Sequence, residues 1–330
     1  MEDDRTRLFL PRRYLLIVLL PLAVYLCSEW LLWFLGRTQL VVPPVLRWDA
    51  HAEAAARFRV IATFLLVISA AVACIAYFAF AYVRLDKSSR RATWQTYAAV
   101  LACISGLLIG LWITNSGLLL TEEMVGEELV CQALSQDYRA AVPAELPSEC
   151  LSADGWSDYE RMRMLINIES AFLYFAIPAL AFGSIVCLGW PAGKIGPNQH
   201  RLVREELIGR LSTFLYISAF LLVSGLLFLS AFLHWPLFAV EPGHRNAYRE
   251  HVHAVVLFHG VAYTVMLGSY YLPVAGLLAR RWHGLKLVDE KTPRGEMLDW
   301  QGFLKAALAV FAPLIVGLLG DVMKVPMAGG

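Results

Sequence analysis

Seven long apolar stretches set the limits on what this chain can fold into. Each is rich in Leu, Ala, Val, Ile and Phe, and each can cross the hydrocarbon layer of a bilayer, which takes about 20 helical residues. They lie at about 14–36, 59–83, 96–119, 165–190, 211–236, 254–279 and 302–320. The chain is only 17% charged, whereas soluble domains have about 25% charged residues. The pattern therefore predicts an integral membrane protein.

These stretches indicate transmembrane helices rather than the strands of a membrane barrel. None of them alternates apolar and polar residues as barrel strands do. A backbone inside lipid must satisfy its own hydrogen bonds, and a helix does so within one segment. The predicted fold is all-α: one polytopic transmembrane helical bundle of about seven spans, formed by residues 1–330 as a single domain.

The spacing of the spans suggests an internal repeat. The first three begin near positions 14, 59 and 96, and the last three begin near 211, 254 and 302, an offset of about 200 residues. Such an offset is expected of two parallel three-helix halves joined by a central helix, a 3+1+3 arrangement. Few residues match at this offset, among them His51 with His251 and Phe58 with Phe258, and chance gives similar matches between apolar segments.

The placement of Lys and Arg predicts the orientation in the membrane. The amino terminus and the second-to-third, fourth-to-fifth and sixth-to-seventh connections each carry at least four basic residues. All four segments lie on one side of a seven-span arrangement, and the positive-inside rule makes that side cytoplasmic. We therefore expect a cytoplasmic amino terminus and an outside carboxyl terminus. The absence of an Asn-X-Ser/Thr sequon fits a bacterial inner membrane.

One long connection, residues 120–164, lies on the predicted outside and is strongly acidic. It carries ten acidic residues against three arginines. Loops of this length are often functional, so it is a candidate contact for a partner protein. The alternative is a solvated cap whose acidity reflects only the topology. Cys131 and Cys150 both fall in this loop, in a compartment that permits disulfides, and we predict that they pair.

Polar residues within the spans are concentrated in the outward third of the helices. Ionisable groups inside a bilayer are costly and are candidates for function, whereas the inner halves of several spans contain no acid, base or histidine. This asymmetry predicts a polar vestibule open to the outside and closed below by apolar residues. The alternative is that helix ends are wet, so that residues near them cost little. The candidates for binding a ligand or ion are Glu29, Asn115, Glu169, His259 and Asp321.

Histidines are the other candidate ligands on the outer side. Their spacing matches no recognised zinc motif, and no cofactor is the favoured expectation. Two alternatives stay open, a metal ion held by several of these histidines and a b-type haem between His234 and His259. The histidines concerned are His234, His251, His253 and His259.

Three classes of function are compatible with this pattern. The first is transport of a small molecule or ion by a transporter or channel, which explains a polar vestibule without a catalytic motif. The second is a non-enzymatic membrane sensor or complex subunit, which contacts a partner protein through loop 120–164 or the basic inner loops. The third is a membrane-embedded enzyme, metal-dependent or not, that acts at the outer face. No basic domain points to nucleic acid as a partner.

Overall fold

The described part of the chain is helical. The computed structural model describes residues 12–35, 50–113, 176–189, 200–286 and 300–319. Helices account for nearly all of these residues, and no β-strand occurs among them. The all-α prediction is therefore confirmed for these ranges.

Within these ranges there are seven α-helices, and each overlaps one of the seven predicted stretches. They are α1 (Arg12–Leu35), α2 (Ala50–Val83), α3 (Lys87–Ile113), α4 (Ala176–Leu188), α5 (His200–His234), α6 (Arg245–Lys286) and α7 (Trp300–Leu319). Two short 3-10 helices, Trp235–Ala239 and Pro242–His244, link α5 to α6.

Three segments are long and apolar enough to cross a bilayer. They are His51–Val83, Glu205–Ala239 and Pro242–Leu278, whereas Ala176–Leu188 and Leu304–Leu319 are shorter apolar helices. Over the described residues this is fewer than the seven predicted spans. Thirteen helical residues rise only about 20 Å, which is less than the hydrocarbon thickness. Several long apolar helices fit a multi-pass integral membrane protein, and the other four spans stay predictions.

The antiparallel pair of α2 and α5 forms the centre of the described structure. Phe64 packs against Phe228, and Phe78 against Phe214, with ring centroids 5.7 and 5.9 Å apart. An interval of seven residues keeps one face of a helix against its partner over many turns, as in coiled coils. Buried residues recur at this interval along α2, at Glu53, Val60, Val67, Cys74 and Ala81.

Polar contacts mark the two ends of this pair. Glu53 on α2 contacts Trp235, and Tyr77 on α2 contacts Arg210 on α5. We call these ends of the bundle the Glu53 end and the Arg210 end. The rise along α2 between Glu53 and Tyr77 is about 36 Å at 1.5 Å per residue. The two ends are therefore separated by slightly more than the hydrocarbon layer, which is about 30 Å thick.

Gly183 allows α4 to rest on this pair. A β-carbon at Gly183 would lie 2.6 Å from the ring of Phe78 and 2.7 Å from the ring of Phe214. Further along α4, the thiol of Cys187 donates a hydrogen bond to the carbonyl oxygen of Arg210 at 3.8 Å. Close approach through small residues is the usual way in which helices associate in membranes.

The crossing of α6 and α7 also depends on glycine. A β-carbon added at Gly260 would lie 2.9 Å from the carbonyl oxygen of Pro313 and 3.4 Å from the Cα atom of Gly317. Both neighbours are backbone atoms, which cannot move aside as the end of a flexible side chain can. The two helix backbones therefore touch at this point.

Thr264 completes the hydrogen bonding of α7 next to its proline. Pro313 has no N–H, and its ring disturbs the preceding turn of a helix. The amide of Leu314 donates to the hydroxyl oxygen of Thr264 on α6 at 3.1 Å. A side chain of the neighbouring helix thus satisfies a backbone group near the proline, as is common in membrane proteins.

The connections at the two ends are short. Asp86 caps α3, since its carboxylate accepts hydrogen bonds from the hydroxyl and the amide of Ser88, the latter at 3.3 Å. The hydrogen bond from the Ser88 hydroxyl is the main cause that holds the pKa of Asp86 below its ordinary value.

At the Glu53 end, Trp235–Val240 is buried, and the Tyr248 hydroxyl donates to the carbonyl of Leu233 at 2.9 Å. This bond holds α5 and α6 together where α5 leaves its last carbonyls without helical partners.

The glycine at the α6–α7 crossing provides a stability test. We expect Gly260→Ala to lower the free energy of unfolding by about 1–3 kcal/mol, because the added methyl group meets backbone atoms. Gly276 lies on the same helix with nothing within 4 Å of an added β-carbon. Gly276→Ala should be neutral or stabilising, since Ala is a better helix former by about 1 kcal/mol. Thermal unfolding in detergent compares them, and equal unfolding temperatures would contradict the crossing.

Candidate functional site

His259 is the one predicted binding residue whose side chain the structure describes. Glu29 belongs to α1, but its side chain lies outside the described part. The other three candidates for binding a ligand or ion and the two predicted disulfide cysteines lie outside the described residues: Asn115, Glu169, Asp321, Cys131 and Cys150. The complete vestibule and the disulfide therefore stay predictions.

The imidazole of His259 is buried in the bundle, with 2% of the residue exposed. Its Nδ1 lies 2.9 Å from the carbonyl oxygen of Val255. Because a carbonyl only accepts hydrogen bonds, Nδ1 carries the hydrogen, and Nε2 is the acceptor of the neutral ring. The rings of Phe258 and Tyr263 stand edge-on to the imidazole, with centroids 5.6 and 6.1 Å away. The environment thus holds the ring in one tautomer and one orientation.

His259 lies well inside the apolar part of the bundle. The adjacent Gly260 faces Leu226 on α5, at 3.5 Å from an added β-carbon. The rise along the chain from Leu226 to Trp235 is about 13 Å, and that from Leu226 to Arg210 is about 24 Å. Among the described acidic, basic and histidine side chains, His259 is thus the farthest from its nearer end of the bundle.

The other histidines of the predicted metal site lie closer to the Glu53 end. His234 is at the end of α5, with Nδ1 2.7 Å from the carbonyl oxygen of Ser230. His251 and His253 are half-buried near the start of α6. In the part of the chain that is described, no group of three or more His, Cys, Asp or Glu could hold a metal ion. The metal alternative gains no support, and the haem alternative stays untested.

A buried carboxylate at the Glu53 end was missed by the sequence analysis. Glu53 is 5% exposed, and its two oxygens have different partners. One accepts a hydrogen bond from the indole nitrogen of Trp235 at 3.2 Å, and the other pairs with Arg57 at 2.9 Å. The spacing of Glu53 and Arg57, four apart on a helix, is the signal that predicts this ion pair. The carboxylate links α2 to the corner after α5.

The Arg210 end also contains a buried charge. Arg210 is 7% exposed and pairs with Glu206 one turn earlier on α5. The carbonyl oxygen of Arg210 accepts a hydrogen bond from the hydroxyl of Tyr77 at 3.0 Å, in addition to the thiol of Cys187. Arg210 was predicted only as part of a basic connection, so its burial is unexpected. Arg210 lies directly before the predicted span at 211–236.

Ser218 lies on α5, at a depth between that of Arg210 on the same helix and that of His259 on α6. It is fully buried, and its hydroxyl has no hydrogen-bond partner in the described structure. Ser224, by contrast, donates to the carbonyl of Leu221 in its own helix at 2.8 Å. Polar groups thus occur at several depths of the bundle: Glu53, His259, Ser218 and Arg210. Of these four, His259 and Ser218 lie away from both ends of the bundle.

No model of a known protein family matches the sequence, no curated protein matches it, and no solved structure matches the fold.

The contact between Glu53 and Trp235 can be measured by a double-mutant cycle. The changes are Trp235→Phe, which removes the indole donor, and Glu53→Met, which removes the acceptor at similar volume. We expect a coupling free energy of about 1.5–3 kcal/mol, as for other hydrogen bonds to charged groups. Thermal unfolding in detergent supplies the values, with Trp94→Phe as the control, since Trp94 is 58% exposed. A coupling near zero would contradict the contact.

Proposed function

We propose that this chain is a seven-span membrane protein that transports a small molecule or ion, with His259 at the base of a vestibule open to the outside. The observation that carries the proposal is the burial of His259 within the apolar depth of the bundle. Histidines in such places are rare in membrane helices and mark substrate pathways or proton relays. A histidine without a role in the pathway would be expected at a solvated end of the bundle, where its polarity costs little.

The chemistry of His259 suits a binding step in transport. Nδ1 is engaged by the Val255 carbonyl, so that Nε2 is the atom that accepts a proton or a donor group of a solute. Protonation at Nε2 would give this site a positive charge. Either event changes the electrostatics between α6 and its neighbours.

One pair of helix contacts supports two parallel halves in a 3+1+3 arrangement, although the close α6–α7 contact has no comparable counterpart between α2 and α3. α2 packs mainly on α5, and α1 on α6. At an offset of 200 residues, α1 of the first half corresponds to α5 of the second, and α2 corresponds to α6. The α2–α5 contact and the α6–α1 contact are therefore equivalent when the two halves are exchanged. Residues at this offset are buried in pairs: Val60 and Gly260, Val67 and Leu267, Ala70 and Tyr270, Cys74 and Val274, Phe78 and Leu278.

In the proposed arrangement the helix that carries His259 contacts both halves. His259 lies on α6, which packs on α1 of the first half and on α5 and α7 of the second. Transporters built from repeats bind their substrates between the repeats, where a movement of one half against the other changes access. The position of His259 therefore favours transport over the alternatives of a sensor, a complex subunit or an enzyme of the outer face.

In the proposed topology the Arg210 end is cytoplasmic and the Glu53 end is outside, in a bacterial inner membrane. The amino terminus is then inside, the carboxyl terminus outside, and the acidic loop 120–164 with its Cys131–Cys150 disulfide also outside, where a partner protein can reach it. The basic α2–α3 connection at the Arg210 end supports this choice through the positive-inside rule.

Cysteine accessibility tests the topology. In a variant without the six native cysteines, we place single cysteines by Gly243→Cys, in the α5–α6 corner, and by Lys87→Cys, at the start of α3. Both positions are exposed. A membrane-impermeant maleimide should label intact cells at position 243 and label position 87 only after permeabilisation. The reverse pattern would show that the proposed topology is inverted. Labelling of both positions in intact cells would show that no membrane separates them.

Flux into proteoliposomes tests transport. The probes are protons, followed by an internal pH dye, and radiolabelled sodium, amino acids and sugars. We expect flux of at least one probe, with a reduction of roughly tenfold or more for His259→Gln, because glutamine cannot accept a proton as imidazole does. His244→Gln is the matched control, because His244 is exposed in the α5–α6 corner.

Two results would overturn the proposal. Flux no greater than that of protein-free vesicles for every probe would favour a sensor or a complex subunit. Flux that is equal in the wild-type protein and in folded His259→Gln would remove His259 from the pathway.

A further inference from the structure

The first turns of α3 hold two buried polar atoms that have no hydrogen-bond partner in the described structure. They are Nε of Arg90 and the hydroxyl oxygen of Thr93. Thr93 is fully buried. A buried polar group without a partner costs about 1–3 kcal/mol, so such groups in native proteins call for a ligand, an ion or an ordered water.

Thr93 differs in this respect from the other threonine on its face. Thr96 is also buried, but its hydroxyl donates to the carbonyl of Ala92, four residues earlier, at 2.9 Å. This backbone bond is the usual way for a helical threonine to satisfy its hydroxyl. Arg90 and Thr93 are three residues apart, so they are neighbours on one helix face. One acceptor group can therefore contact both.

Aromatic side chains enclose this face of α3. The ring of Tyr97, one turn beyond Thr93, packs edge-on against Phe182 of α4 at 4.8 Å. Tyr82 of α2 packs on the same Phe182 ring at 5.7 Å, and its hydroxyl donates to the carbonyl of Arg90 at 3.4 Å. Arg90 is only half-buried, so its side chain extends from this enclosed region toward the surface.

The charge at the α2–α3 connection is positive. Arg84, Lys87 and Arg91 are exposed close by at the α2–α3 connection. Asp86 is the only acidic residue between positions 54 and 121, and its carboxylate is engaged by Ser88 as the cap of α3. A bound group should therefore be an anion rich in acceptor oxygens.

We propose that Arg90 and Thr93 bind the phosphate of an anionic phospholipid headgroup at the Arg210 end of the bundle. The guanidinium supplies a planar fork of donors that matches phosphate. Binding requires the side chains that cover Thr93 to open, so that its hydroxyl can donate to another phosphate oxygen. Basic segments at the membrane boundary attract anionic lipids, and basic pockets between helices bind their headgroups. This inference does not depend on transport.

Lipid-dependent thermal unfolding of the delipidated full chain in detergent tests the site. The probes are phosphatidylglycerol, phosphatidylcholine and inorganic phosphate. We expect phosphatidylglycerol to raise the unfolding temperature of the wild-type protein and phosphatidylcholine to raise it less. Thr93→Val and Arg90→Lys should each weaken the apparent affinity for phosphatidylglycerol roughly tenfold or more, as expected for loss of one hydrogen bond to a charged group.

The variant Thr93→Val separates binding from folding. Replacement of an unpartnered buried hydroxyl by a methyl group should leave the unfolding temperature without lipid unchanged or higher. Thr96→Val and Arg91→Gln are matched controls for a partnered hydroxyl and for an exposed charge, and both should keep the affinity for phosphatidylglycerol within about twofold, since a single exposed charge contributes little.

The outcomes decide between sources of phosphate. A shift produced by inorganic phosphate alone, and lost in Thr93→Val, supports the same site with a soluble phosphate as the ligand. Equal lipid affinity in the wild-type protein and in Thr93→Val overturns the proposal, because an internal water then satisfies the two atoms. No shift with either phosphate source also overturns it.

Discussion

The contact between α2 and α5 is the interaction on which the described structure depends. Within lipid there is little hydrophobic gain from bringing two apolar helices together, so association relies on close packing and on hydrogen bonds. The α2–α5 pair uses both, through Phe64 with Phe228 and Phe78 with Phe214 along its length and polar contacts at its ends. The glycine of α4 then rests on two of these rings.

The helical class followed from the sequence because apolar stretches of this length have few alternatives in a bilayer. Helix ends were less predictable: α2 begins at Ala50, nine residues before the predicted span at 59. The polar sequence around Glu53 resembles a connection, and its burial depends on Trp235, which is distant in the chain. Such pairings between distant segments leave little trace in one sequence.

His259 shows which part of the site could be predicted. A histidine in an apolar stretch is visible from the sequence, and the structure gives it a buried place and a fixed Nδ1 contact. The burial of Arg210 could not be predicted, because an arginine near a predicted helix end is usually solvated. Tyr77 and Cys187, which approach from two other helices, contact its backbone carbonyl. Charge placement along one helix therefore predicts neither the burial of a charge nor its partners on distant segments.

The short, buried corner between α5 and α6 has a consequence for how the chain enters the membrane during synthesis. Between His234 and Arg245 there is little free chain, and Trp235–Val240 is already buried against the helices. In a membrane, so short a connection favours insertion of α5 and α6 together as a hairpin rather than one after the other.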